Sequence, residues 1–149
     1  MPDLLTGSIV EATDTPATVG DREDVAILGF SDTSYVPGAT VCGVAFTAPT
    51  TGRVLVTINA FLDNSGATGQ TYASFRIGTG STVGSGTEQV AADDSRSILV
   101  TGTNQARAGI TEMVTGLTPG DTYNAQMMHR RANSNGDITW RSIIVAPAT

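Results

Sequence analysis

Residues 53–62 read Arg53-Val54-Leu55-Val56-Thr57-Ile58-Asn59-Ala60-Phe61-Leu62. Val54, Val56, Ile58, Ala60 and Leu62 fall on one parity, the two-residue period of a strand with a buried face. The other parity, Leu55, Thr57, Asn59 and Phe61, is only half polar. A strand of this kind expects something besides water on its second face, and that expectation shapes the rest of the reading.

Working outward, Val41 to Thr47 forms a preceding strand, and Ala48-Pro49-Thr50-Thr51-Gly52 supplies a turn with Pro and Gly in suitable places. Downstream, Thr71 to Ile77 sets Ala73, Phe75 and Ile77 against Tyr72, Ser74 and Arg76. The run Gly78 to Gly86 reads as too flexible and polar to hold a packed element. Strands are expected again at Thr87 to Ala91, Arg96 to Thr101 and Ala108 to Thr115. After the turn Gly116-Leu117-Thr118-Pro119-Gly120-Asp121, a long strand runs from Thr122 to Ala132 with Tyr123, Ala125, Met127 and His129 on one side. Asn135-Gly136 suits a type I′ hairpin turn into a last strand, Ile138 to Val145. No segment keeps a helical period. Eight closely spaced strand segments predict an all-β fold, an antiparallel jelly-roll β-sandwich, over residues 41–149.

Residues 1–40 differ, because Pro2, Pro16 and Pro37 interrupt weak patterns and Glu11 to Asp24 is polar and acidic. Two apolar patches stand out, Leu4, Leu5, Ile9 and Val10, then Val25, Ile27 and Leu28 with Phe30. Ordering a residue costs about 1–2 kcal/mol of backbone entropy, while a fully buried apolar side chain returns about 1.5–3 kcal/mol. An ordered arm therefore needs an extensive surface: the domain, a sister subunit or a scaffold. The two patches are the expected docking residues of an extended N-terminal arm.

Composition narrows the chemistry. Fourteen acidic against eight basic residues give a net charge of −6, which argues against phosphate-backbone binding and so against a nucleic-acid partner. The opening Met-Pro-Asp-Leu-Leu lacks the basic and apolar regions of a signal peptide, and no apolar run approaches the ~20 residues of a membrane span. A protein made in the cytoplasm with no membrane partner is expected. All basic residues are arginine. Lysine is absent while Ala, Gly and Val abound, the codon signature of a high-GC genome.

The single cysteine, Cys42, sits among apolar neighbours and reads as a small buried thiol. The single histidine, His129, cannot by itself build a triad or a histidine-rich metal site. Asn133 to Asp137 fails the EF-hand pattern, since the glycine comes too early and Ile144 stands where glutamate belongs. Asp93-Asp94 reads as a solvated acidic pair. Gly78-Thr79-Gly80 with Gly84 has the wrong spacing for a dinucleotide fingerprint. No catalytic residue, cofactor or metal is expected, and aromatic residues are too sparse for a stacking platform.

Ala45-Phe46-Thr47-Ala48-Pro49-Thr50-Thr51-Gly52-Arg53-Val54-Leu55-Val56-Thr57 resembles the first hairpin of the C1q and tumour-necrosis-factor-like jelly rolls. Leu117-Thr118-Pro119-Gly120-Asp121-Thr122-Tyr123 is similar to that family's turn before its penultimate strand, and Ile138 to Val145 to its closing central strand. The likeness covers about residues 41–146. The stretch Val114 to Tyr123 also resembles the tyrosine-corner approach of fibronectin type III domains. That family carries an early tryptophan, whereas the one here is Trp140, in the last strand.

Taken whole, the arm, Ser34-Tyr35-Val36-Pro37-Gly38 and the two Pro-Gly turns resemble small virion proteins of tailed phages infecting high-GC actinobacteria. The resemblance implies a homotrimeric capsid decoration or minor capsid protein on the virion surface, with the major capsid protein or other virion proteins as partners. A minor tail or fibre component binding a host receptor or glycan through Asp63 to Gln70 and Gly78 to Gly86 is the alternative it implies. Subunits packing sheet against sheet need apolar residues on a second strand face. Leu55 and Phe61, with Met127 and Met128, are the expected interface residues.

Overall fold

The computed structural model describes residues 16–149. Its strands are β1 (Val19–Glu23), β2 (Ile27–Phe30), β3 (Gly43–Thr47), β4 (Val54–Asn64), β5 (Gln70–Thr79), β6 (Glu88–Val90), β7 (Ile98–Thr101), β8 (Ala106–Val114), β9 (Thr122–Arg131) and β10 (Gly136–Pro147). One sheet has the order β1-β10-β4-β8, with β2 also on β10; the other has β3-β9-β5-β6, with β7 also on β5. Every pairing is antiparallel. Most successive strands cross from one sheet to the other, which is the winding of a jelly roll. The eight strands expected after residue 41 are all present.

The buried parity of β4 meets β5 and β7 across the sandwich, and β10 faces β9. Val56, Ile58, Leu62, Phe75, Ile77, Met127, Ile138 and Ile143 lie in one continuous core. At about 1.5–3 kcal/mol per fully buried large side chain, this layer is the main stabilising term. Local chemistry sets the turns between layers. Gly52 donates to the carbonyl of Pro49 at 2.8 Å and holds a φ of 63°, a conformation that favours glycine. The turn before β9 is closed by Tyr123, whose hydroxyl accepts from the amide of Thr118 at 3.0 Å. That is the local device of the tyrosine corner, used here inside a jelly roll.

Three features refine the sequence reading. First, of the surfaces expected for the arm (the domain, a sister subunit or a scaffold), residues 19–36 use the domain. β1 pairs with β10 from Val19↔Val145 to Glu23↔Arg141, and β2 follows on the same strand. The chain then crosses to the second sheet, where Val36 and His129 exchange backbone hydrogen bonds of 2.9 Å and Arg131 donates to Asp32 at 2.8 Å. Residues 19–36 thus cover open edges of both sheets, and their polar composition reflects edge strands with one face wet.

Second, the run from Gly78 to Gly86 is pinned. The Asn124 side chain is fully buried, and its amide nitrogen lies 3.1–3.3 Å from four carbonyls, those of Gly78, Thr79, Gly80 and Ser85. Its oxygen accepts from the Gly84 amide at 3.0 Å. The segment therefore lies down on the outer face of the second sheet.

Third, Asn135-Gly136 does not form a type I′ turn. Ser134 takes the positive φ, 58°, and Gly136 is buried, with its missing Cβ replaced by the Phe30 ring.

Candidate functional site

The alternation of β4 sends Leu55, Thr57, Asn59 and Phe61 to the outer face of the first sheet. Register places Met113 and Ala146 on either side of Leu55, Ile144 and Thr111 beside Thr57, and Arg107 and Thr139 beside Phe61. On β10, Ile138 faces the core, yet Ile143 and Val145 do too, an odd spacing that a regular strand cannot satisfy. A bulge resolves it: Trp140 and Arg141 stand between the pairs Thr139↔Phe61 and Ser142↔Asn59. The extra residue turns Trp140 outward and Arg141 inward.

Trp140 carries this device in a left-handed conformation, φ 46°, which costs a non-glycine residue about 1–2 kcal/mol. The residue is 46% exposed, and its ring meets Phe61 edge-on, centroids 5.2 Å apart at 82°. Met113 is 54% and Ile144 41% exposed on the same face. Trp140, Met113 and Ile144 are thus exposed apolar side chains on one face of the first sheet, with Phe61 among them.

Arg141, turned inward, is 1% exposed. Its guanidinium donates to the carbonyl of Thr40 at 2.8 Å and to that residue's hydroxyl at 2.5 Å, and its Nε has no partner among the described residues. Burial draws its pKa below the ordinary arginine value, while Cys42, Glu23 and Asp21 nearby act the other way. Cys42 is fully buried, and burial pushes its thiol up to about 11. His129 is likewise buried, edge-on to Phe30 at 4.4 Å.

On the opposite sheet, Arg130 grips Asp94 with two of its nitrogens, one at 2.9 Å, and lies over the Tyr72 ring at 3.9 Å. Tyr35 donates to the same carboxylate at 2.8 Å. The Arg130 hydrogen bond, foremost, holds Asp94 below the usual carboxylate range. Asp93 accepts from the Ser95 amide at 2.7 Å. This cluster fastens the 3-10 turn Asp94–Arg96 and the Tyr35 segment to the sheet.

Of the expected interface residues, Leu55 and Phe61 share the outer face of the first sheet, half-buried. Met127 is a correction: at 1% exposure it belongs to the core and cannot meet another subunit. Met128 lies half-buried on the outer face of the second sheet, opposite Ser74. Of the arm residues, Ile27 packs against the core, whereas Val25 and Leu28 are exposed; Leu4, Leu5, Ile9 and Val10 lie outside the described residues. Sequence reading missed Met113, Trp140 and Ile144. The five-residue step from Ile138 to Ile143 was the available signal for the bulge that exposes two of them.

No protein-family model matches the chain, and no curated protein sequence does. Among solved structures, a chain of infectious bursal disease virus, Gx strain, is 8% identical over 88% of this chain and 31% of its own, with a TM-score of 0.54. A chain of the T13 particle of the same virus is 12% identical over 90% and 31%, with a TM-score of 0.51. This chain thus spans about a third of the viral chains it matches. The CBM36-1 domain of a multidomain xylanase from the hindgut metagenome of Trinervitermes trinervoides is 12% identical over 89% and 99%, but its TM-score of 0.45 is too low to carry weight. At such identities the likeness is one of fold: an antiparallel β-sandwich of jelly-roll type, shared with chains of a virus particle.

Proposed function

We infer that the chain is a non-catalytic virion structural protein, a C1q- and tumour-necrosis-factor-like jelly roll that assembles as a homotrimer and docks on the capsid surface of a tailed phage. The observation that carries the self-association is the outer face of the first sheet, where Trp140, Phe61, Met113, Ile144 and Leu55 are gathered. Burying such a face between copies excludes water from a large apolar area, and aromatic residues near the centre of an interface commonly carry most of its energy. The fold shared with viral chains and the resemblance of the arm and turns to phage virion proteins support the particle. Docked on a shell, such a trimer adds buried area across subunit boundaries and so stabilises it by mass action.

Trp140→Gly is the informative substitution. Glycine accepts the left-handed backbone, so relief of about 1–2 kcal/mol of strain partly offsets the lost Phe61 contact of about 0.5–1.5 kcal/mol and the lost burial of the half-covered ring. Stability of the isolated chain falls by about 1–2 kcal/mol by that balance, while self-association weakens by about 2 kcal/mol or more, ~30-fold. Denaturation and sedimentation of the two proteins check the pair of outcomes. Labelling intact particles with an antibody to the chain tests location: an even coat on heads supports capsid docking, and label confined to tails overturns it in favour of a tail or fibre component.

A further inference from the structure

β8 ends its sheet, and none of the described strands pairs with its free edge. It is nine residues long, contains no proline, and keeps an unbroken register with β4. Natural edges are usually shortened, bulged or crowded with charge; this one has Arg107 on the outer face and Glu112 on the inner. Arg107 is exposed and makes no ion pair among the described residues. On the inner face Ala106, Ala108 and Ile110 line the core but remain half open. The edge is an unfilled strand position with a preferred partner chemistry: small or apolar residues on one face and an acid opposite Arg107.

The chain carries such a partner in its own first residues. Set antiparallel to β8 with Glu11 opposite Arg107, the segment Leu4 to Ala12 matches the strand end to end. On the outer face this puts Leu5 beside the exposed Met113 and Ile9 beside Gly109. On the inner face it puts Val10 beside Ala108, Leu4 beside Val114, and the Thr6 hydroxyl beside Glu112. A slip of one residue would reverse every face. We propose that residues 4–12 add as a strand to the β8 edge of a neighbouring copy, so that the arm is exchanged between subunits.

Exchange follows from reach. The register runs Val19↔Val145, Val145↔Val56 and Val56↔Glu112, so β1 begins level with Glu112 on the far side of the sheet. Ala12 would stand level with Ala106, about 20 Å along the strands and four strand spacings, ~19 Å, across from Val19. The straight line between them is ~28 Å, and seven residues span at most ~25 Å fully extended. The edge of a second copy carries no such restriction. A head-to-tail contact of this kind closes into a ring under cyclic symmetry, as a trimer requires.

The inference deepens the proposed function and rests on the chain assembling with itself, though not on the Trp140 face. Its test mixes two full-length variants, Val10→Cys and Ala108→Cys, under mild oxidation, with the buried Cys42 left in place. Disulfide-linked dimers in the mixture and in neither variant alone are expected, and they should persist when both carry Trp140→Gly. Self-linked Ala108→Cys would mean that two β8 edges pair with each other and would overturn the proposal. So would a chain bearing both cysteines that bridges only within itself. A self-associated but unbridged mixture overturns strand exchange alone; an unbridged monomer overturns it together with the proposed function. As an independent readout, Glu11→Arg and Arg107→Glu should each weaken assembly about fivefold, as expected of one charge pair. The two together should restore it, and failure of that rescue would overturn the register.

Discussion

Asn124→Ala is expected to lower the unfolding free energy by about 3 kcal/mol, the sum of lost hydrogen bonds and buried carbonyls left without a donor. The side chain is fully buried and serves four carbonyls and one amide of the segment from Gly78 to Ser85. The contact with the Gly78 carbonyl is buried and the others are part-buried. The cost stops short of the full desolvation of every group because the segment can lift and rehydrate. Urea denaturation measures the loss, and protease cleavage between residues 79 and 87 reports the lifting. Asn124→Asp makes a sharp control: it keeps an acceptor for Gly84 but turns a carboxylate oxygen toward the carbonyls, and should be at least as damaging. A loss below about 1 kcal/mol in the alanine variant, within the range of ordinary surface substitutions, would mean that the segment is held by something else.

Acid should weaken the fold well before its carboxylates titrate. Burial, and secondarily the charge of Arg141, lower the His129 pKa from 6.5 to about 4, with Asp32 opposing. The folded-state value is depressed, so the unfolded chain takes up a proton as pH falls through 6.5 while the folded chain refuses it until about 4. This stability is fully present above the upper value and is lost as pH falls between the two, amounting to about 3 kcal/mol across the window. Denaturation midpoints at pH 7 and pH 4.5 measure it. His129→Met, which cannot titrate, should flatten the profile between those pH values, and a native protein equally stable at both would overturn the assignment. The ring packs on Phe30 and the closing segment around Val36 and Gly38, so the acid-sensitive region is the strap that covers the β9 edge.

Much of the sandwich was legible because its strands obey a period. Residues 53–62 announced a buried face and a second, half-apolar one, and the structure puts Leu55 and Phe61 on that second face. Where the period breaks, the reading failed for a physical reason. The Trp140–Arg141 bulge changes the phase of β10 by one residue, so a tryptophan and an arginine exchange the sides that alternation would give them. Asn124 reads as an outward polar residue of β9, and so it points; what sequence does not reveal is that another segment folds over it. Met127 and Met128 are chemically alike and adjacent, so composition could not tell which one faces the core; the phase set by Tyr123 and Ala125 could. β1 was hidden because an edge strand with inward Asp21 and Glu23 has no apolar stripe.

The exposed apolar residues that sequence reading missed, Met113, Trp140 and Ile144, lie on one face. A bulge placed Trp140 in a costly conformation, beside Phe61 and in line with Ile144, when a glycine would have held the same backbone at lower cost. Such strain persists where the surrounding structure over-determines it, and it clusters at functional positions. The proposed contact between copies rests on this face.

Sedimentation equilibrium of the full chain and of Trp140→Gly, over a range of concentrations near neutral pH, tests it most directly. Three times the 15.3 kDa chain mass is expected for the native protein. For the variant a concentration-dependent shift toward the single-chain mass is expected, with a native-like fold and a denaturation midpoint lowered in step with the lost association. A native protein that sediments as one chain at every concentration, or a variant that assembles as tightly as the native protein, would contradict it.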